Sequence, residues 1–305
     1  MTNRRNFIKK TSASVISSLI IPSDLTSSIK TNDSKTITIL HTNDVHSHID
    51  PFPINDASFP NSGGVVARSV LINKLRKINP NTLLFDAGDI FQGTPYFNFF
   101  GGEIEIKLMN KMGYNAATLG NHEFDNGVDH LAKSLENANF SIINSNYVIS
   151  GTPLENKIKR FKIYEFDGVK IGVFGLGIDL KGLVEKKLYS GVKYLDPIGI
   201  SNEISEYLKE KEECKIIICL SHLGYKINYE KGGMCDLLLA ENTKNIDLII
   251  GGHSHTFMEK PVIVKNLIGN NVLINQVGCF GINLGKVDFH LSIEKSKTES
   301  QTIKI

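Results

Sequence analysis

The chain has 305 residues, 41% of them hydrophobic and 22% charged, enough to bury a full globular core in one large domain or two small ones. Its formal charge of +2 is uneven: residues 1–30 hold five Lys and Arg against Asp24, a surplus of four, which leaves −2 on residues 31–305. The body of the chain therefore lacks the basic face that polymeric nucleic acid or an anionic membrane requires, and no run of about 18 apolar residues offers a transmembrane helix.

At the N-terminus, Arg4, Arg5, Lys9 and Lys10 precede a short, moderately apolar stretch from Thr11 to Ile21. A basic segment followed by a short apolar one reads as an export signal. The paired arginines followed by Phe7, Ile8 and Lys9 resemble the bacterial twin-arginine signal, which exports folded proteins. That places the protein in the periplasm or otherwise beyond the cytoplasmic membrane; a disordered basic tail is the plain alternative. Residues 1–30 are read as signal and linker, and residues 31–305 as a single domain.

Short apolar runs at 36–42, 82–85, 116–119, 141–143, 169–176, 216–220 and 246–250 predict strands. Three- and four-residue apolar spacing predicts helices over 65–78, 103–112, 128–137 and 198–214. Strand–helix alternation of this kind argues an α/β architecture with much parallel pairing. Two regions read as antiparallel. One is a hairpin of 161–166 and 169 onward, turned by Asp167 and Gly168; the other is a meander of 261–265, 271–277 and 284–291.

Four cysteines, Cys214, Cys219, Cys235 and Cys279, show no CxxC spacing, which makes a metal role for them a poor reading. Five residues of strand separate Cys214 from Cys219 by roughly 16 Å. A disulfide needs Cα atoms within about 7 Å, so these two do not pair. Cys219 reads as core.

Five polar clusters directly follow apolar runs: Asp44-Val45-His46, Gly88-Asp89, Gly120-Asn121-His122-Glu123, Ser221-His222 and Gly251-Gly252-His253-Ser254-His255. In open α/β sheets ligands collect beyond the carboxyl ends of strands, so these segments are expected to converge on one crevice. Imidazole, carboxylate and amide oxygen without thiolate suit Zn, Mn or Fe. Asp89, the lone acid in its cluster, is the natural carboxylate to bridge two ions. Each cluster alone has a plainer reading: an Asx turn at Asp44, a helix N-cap at Asp125, a hydrogen-bonded core imidazole at His222. His253 and His255 are expected to face one side as alternate residues of an extended segment. His41, His48, His130 and His290 carry no assigned catalytic role.

Taken together, the clusters resemble the calcineurin-like metallophosphoesterases, whose pattern is D-x-H, G-D, G-N-H-[DE], H and G-H-x-H. The stretches Leu40 to His46, Asp86 to Tyr96 and Met112 to Asp125 are similar to the 5′-nucleotidase branch of that superfamily. The resemblance implies a four-layer α-β-β-α sandwich with two mixed β-sheets and two divalent metal ions. One ion would be held by Asp44, His46, Asp89 and His255, the other by Asp89, Asn121, His222 and His253. His122 would face the phosphate with Asp125 orienting its ring, and Asn121 counts with them among the catalytic residues.

The implied activity is hydrolysis of phosphate monoesters, nucleoside 5′-monophosphates foremost, by a metal-activated water. A 2′,3′-cyclic nucleotide phosphodiesterase or a broad phosphomonoesterase is the alternative, and a thiosulfohydrolase a more distant one. Full-length 5′-nucleotidases carry a second domain that holds the base and supplies arginines to the phosphate. This sequence ends at Ile305, with Arg68, Arg76 and Arg160 its only arginines after the N-terminal segment. Either the domain acts alone on a looser range of esters, or a separate chain completes it. A purely structural metal-binding subunit would not need the His122–Asp125 pair.

Overall fold

A computed structural model describes residues 35–292 and 297–305. The signal and linker assigned to residues 1–30 lie outside the described residues. The described residues cluster as one compact unit.

The first sheet has seven strands in the order β15 (Lys297–Lys304), β14 (Asn283–Leu291), β1 (Lys35–Thr42), β2 (Thr82–Asp86), β3 (Ala116–Ala117), β4 (Ser141–Ile143) and β6 (Ile158–Lys159). The second has six: β12 (Val262–Lys265), β13 (Asn271–Asn275), β11 (Leu248–Gly251), β10 (Ile216–Ser221), β8 (Val169–Leu176) and β7 (Phe161–Phe166). A small ribbon pairs β5 (Tyr147–Val148) with β9 (Lys193–Tyr194). Both sheets are mixed. Strands β1 through β6 of the first run parallel, as do β13, β11, β10 and β8 of the second, with antiparallel strands at the edges.

Period-two side chains explain the layering. Ile37, Ile39, Leu83 and Phe85 of the first sheet meet Ile216, Ile218, Leu220, Leu248 and Ile250 of the second in one buried core. The intervening residues point outward. Leu40 and Leu84 pack under helices α1 (Val65–Ile78), α3 (Glu103–Met112) and α4 (Val128–Ser134). Ile217, Cys219 and Ile249 pack under α5 (Pro197–Glu210) and α6 (Asp236–Glu241). Three cores between four layers give the expected α-β-β-α sandwich. A short helix, α2 (Pro95–Phe100), precedes α3. Among the described residues no helix is long and apolar enough to cross a membrane.

Several expectations change. The segment 284–291 does not extend the meander: β12 and β13 pair in the second sheet, whereas β14 crosses to the first and lies antiparallel to β1. Proximity in sequence suggested the meander, but the apolar faces of Val287 and Phe289 belong to the inter-sheet core beside Ile37 and Ile39. Helix α5 starts at Pro197, capped by the Asp196 carboxylate on the amides of Ile198 and Gly199, and stops at Glu210 rather than 214. Glu213 adopts a left-handed φ of 58° and the Cys214 amide turns back to Leu208, ending the helix ahead of β10. All four cysteines are free and buried.

Candidate metal centre

The strands that carry the clusters end level with one another. Thr42 pairs with Asp86 across β1 and β2, and Ser221 pairs with Gly251 across β10 and β11. Pairing continues past the strand ends, where the amides of Asp44, His46 and Ser47 donate to the carbonyls of Gly88, Asp89 and Ile90. All five loops therefore open at one edge of the sandwich. Asp44, His46, Asp89, His253 and His255 all occupy left-handed backbone, with φ of 49°, 49°, 54°, 70° and 50°. Non-glycine residues rarely adopt that conformation, and its concentration at one spot marks a site where surrounding structure overrides local preference. This also corrects the reading of His253 and His255, which do not share one face of an extended segment. Each turns to a different neighbour.

His255 Nε2 lies 3.4 Å from Asp44 Oδ1 and 3.0 Å from His46 Nε2. His222 Nε2 lies 3.0 Å from Asp89 Oδ2, and His253 Nδ1 lies 3.0 Å from Asn121 Oδ1. Three metal-capable triads result: Asp44–His46–His255, His46–Asp89–His122 and Asp89–His222–His253, with ligand atoms in each within 4.8 Å of one another. Asp89 joins the second and third. All seven expected ligands are thus brought together, and Asp125 Oδ2 meets His122 Nδ1 at 2.7 Å. Asp125 does not cap α4, whose start at Gly127 has no side-chain cap; a single 3-10 turn, His122–Phe124, sets the pair three residues apart.

These residues suit divalent metal ions. Donors about 2.0–2.2 Å from a common ion stand roughly 3–3.5 Å from each other; the His255–Asp44, His222–Asp89 and His253–Asn121 pairs fall in that range, and His46 stands 4.0 and 3.9 Å from Asp44 and Asp89. His222 Nδ1 donates to the Ala87 carbonyl at 2.7 Å, since a carbonyl only accepts. Its buried Nε2 is left without a hydrogen bond although Asp89 is beside it. That is how an outer partner fixes a metal-binding imidazole. Electrostatics favour positive charge at the same point. Burial works against a charged His222, yet Asp89 outweighs it and lifts the group to about 10. Burial likewise works against the Asp89 carboxylate, and His222 and His46 still hold it well below its ordinary range. His46 is lowered by burial, and His253 is pushed down to about 4 by the same cause. Donation from His122 Nδ1 to the Asp125 carboxylate raises His122.

The sequence reading missed the groups that hold these loops. Glu123, buried, accepts from the amides of Ile90 at 2.8 Å, Asp89 at 3.0 Å and Gly120 at 2.6 Å. Asp86 accepts from Thr42 Oγ1 and the Gly88 amide. Asn43 ties Asp44 Oδ2 to the Gly278 carbonyl. An acid inside each of two cluster loops was the available signal. Two glycines are steric necessities: a Cβ on Gly88 would stand 2.5 Å from the Gly120 amide, and one on Gly120 would overlap the Asp89 carboxylate. His41 is buried in the core beside Asn275, while His130 and His290 lie in α4 and β14, away from the cluster. His48 does line the cleft.

Carboxylate–imidazole triads, two of which share Asp89, thus lie at the carboxyl ends of two facing mixed sheets. Residues 37–257 match the calcineurin-like phosphoesterase family, and the chain belongs to it. Within that family it is similar to 5′-nucleotidases. It is 33% identical over 277 residues to 5′-nucleotidase of Bos taurus, covering 83% of this chain and 46% of that protein. It is 31% identical over 284 residues to the trifunctional nucleotide phosphoesterase YfkN of Bacillus subtilis, covering 83% of this chain and 18% of the other. The crystal structure of a 5′-nucleotidase precursor from Thermus thermophilus superposes with a TM-score of 0.77 at 30% identity, over 88% of this chain and 55% of that one. The chain spans less than half the length of these two curated relatives.

Proposed function

We propose that the chain is an exported phosphomonoesterase acting on nucleoside 5′-monophosphates through two divalent ions. Asp44, His46, Asp89 and His255 would hold one ion; Asp89, Asn121, His222 and His253 would hold the other. The carrying observation is the pair of triads that bracket Asp89, with the His122–Asp125 pair beside them. Divalent ions held there would supply Lewis acidity to phosphoryl oxygens and to the attacking water. The donor set of imidazole, carboxylate and amide suits Zn, Mn or Fe.

The remaining chemistry belongs to the chain itself. Asp125 holds a proton on His122 Nδ1 and favours the imidazolium. The ring can then donate to phosphoryl oxygens as negative charge grows on them. Likeness to a protein named a trifunctional nucleotide phosphoesterase favours a second reading, that cyclic nucleotides are also cleaved.

Purified protein assayed with AMP, a 2′,3′-cyclic nucleotide and a chromogenic phosphate ester, before and after chelation, tests the activity. Turnover that survives chelator with no ions bound would refute it. Export is tested by Arg4→Lys with Arg5→Lys. Activity should stay in the cytoplasm, and unchanged extracytoplasmic activity would remove the signal.

A further inference from the structure

We propose that Phe280, flanked by His48 and Phe52, is a stacking platform for a planar leaving group, so that the centre selects nucleoside and aryl phosphates over aliphatic ones. The proposal rests on phosphate-ester hydrolysis at the metal centre.

The cleft holds about 610 Å³, of a size for a nucleotide, and its lining joins His48, Phe52 and Phe280 to Asp89, Asn121 and His122. Phe280 is half-buried and sits in left-handed backbone, φ 60°, between Gly278 at 83° and Gly281 at 62°. That conformation is costly for a bulky aromatic and persists only where neighbours enforce it. One neighbour is a proposed ligand loop: the Phe280 amide donates to the Asp44 carbonyl at 2.7 Å. The strained turn is thereby tied to the metal centre, and it sets the ring 5.8 Å from His255 and 6.0 Å from His46, centroid to centroid.

The other rings form one buttressed group. His48 lies 4.3 Å from Phe280 and stacks on Phe52 at 5.1 Å with planes 21° apart. Phe59 touches both Phe52 and Phe280 from behind, at 5.4 and 6.1 Å, and stacks on Phe257 at 5.9 Å. Phe257 in turn occupies the space that a Cβ on Gly278 would need. Phe59 and Phe257 stand outside the cleft lining, whereas Phe52, His48 and Phe280 belong to it. A simple hydrophobic mini-core under the loop of residues 51–62 would not require Phe280 to hold a strained backbone at the cleft. Apolar rings contribute nothing to phosphoryl charge. They do offer flat faces to a flat group, which stacks with little regard to its identity.

The test compares kcat/KM of the metal-loaded full chain for AMP, 4-nitrophenyl phosphate and glycerol 2-phosphate. Phe280→Leu keeps bulk but removes the flat face. The ratio of kcat/KM for AMP over that for glycerol 2-phosphate should fall about 10-fold, in line with loss of one base–aromatic stack, mainly through KM. An unchanged ratio overturns the platform, since a merely structural ring would affect both esters alike. Should Phe280→Leu not fold, Phe52→Leu is read the same way, and an unchanged ratio there overturns the proposal. Wild-type protein that cleaves none of the three esters refutes the phosphoesterase reading instead.

Discussion

The loops of the first sheet bring to the cleft both carboxylates of the cluster, Asp44 and Asp89, together with Asn121 and the His122–Asp125 pair. The loops of the second bring only imidazoles: His222, His253 and His255. They are also held differently. On the first side, buried acids grip backbone amides, Glu123 those of Asp89, Ile90 and Gly120, and Asp86 that of Gly88. On the second, the ties are mostly neutral: the Gln276 amide donates to the Gly252 carbonyl, and Ser254 donates to Gln276 Oε1. One sheet therefore supplies charge and the other supplies directed lone pairs. Two of the three triads take ligands from both, so the packing of Ile39, Phe85, Ile218 and Ile250 between the sheets sets the distances at the centre.

If charge resides on the first sheet, the largest single effect should come from Asp89. Asp89→Asn removes the negative charge proposed to join the two ions, while keeping the side-chain volume. Turnover should drop at least about 10³-fold, equivalent to several kcal/mol of lost Lewis-acid stabilisation. Elemental analysis should find about two ions per wild-type chain and fewer in the variant. Full metal content with full turnover would remove the bridge.

His122→Ala comes next, also on the first side. Loss of a donor aimed at transition-state charge should cost roughly 10² in kcat with both ions retained. Asp125→Asn should cost less, about 10-fold, because the ring survives without its orienting charge. His122 also belongs to a metal-capable triad with His46 and Asp89, which gives the experiment its edge. Loss of ions in His122→Ala would make it a ligand, and normal turnover with ions present would deny it a catalytic part.

Much of this arrangement could be read from residues in order. Helices over 65–78 and 103–112 have the bounds expected, because their apolar spacing and flanking Pro80 and Gly113 are local signals. The five clusters stood out because each follows an apolar run, and strand ends are where a parallel sheet gathers its loops. What escaped was non-local. Whether β14 joins one sheet or the other depends on which core takes Val287 and Phe289. Left-handed backbone at His253 and His255 is imposed by neighbours, and residue type does not announce it. Glu123 was visible beside His122, but its role depends on amides brought from Asp89 and Ile90, more than thirty positions away. Helix α6 is six residues long, too short for a periodic signal.

Glu123→Gln probes how the first side is held without touching a proposed ligand. The glutamate uses both oxygens, Oε1 on the Ile90 amide and Oε2 on those of Asp89 and Gly120. A glutamine keeps one acceptor and sets an NH2 group against backbone donors. Leaving buried amides unpaired costs about 1–3 kcal/mol each, and the two loops carrying Asp89 and Asn121 should loosen. Metal affinity is expected to fall about 10- to 100-fold, as for other outer partners of metal sites, measured by titration against a competing chelator. Unchanged affinity would show that the loops hold themselves.

The corresponding change on the second side should do far less. Asp236 is buried beneath the His222 loop, accepts from Ser221 Oγ at 2.5 Å through Oδ1, and leaves Oδ2 without a partner. Burial lifts its carboxyl to about 8, so at neutral pH it is already largely protonated. Asp236→Asn replaces one neutral, singly bonded group by another of the same shape, and its oxygen can still accept from Ser221. Little charge is lost and no backbone amide is orphaned. Metal affinity and turnover should stay within about 3-fold of wild type, less than one hydrogen bond's net worth. A loss matching that of Glu123→Gln would break the contrast between the sheets. It would mean that the second side, too, depends on a buried acid, and that the imidazoles of His222 and His253 rely on the carboxyl beneath them.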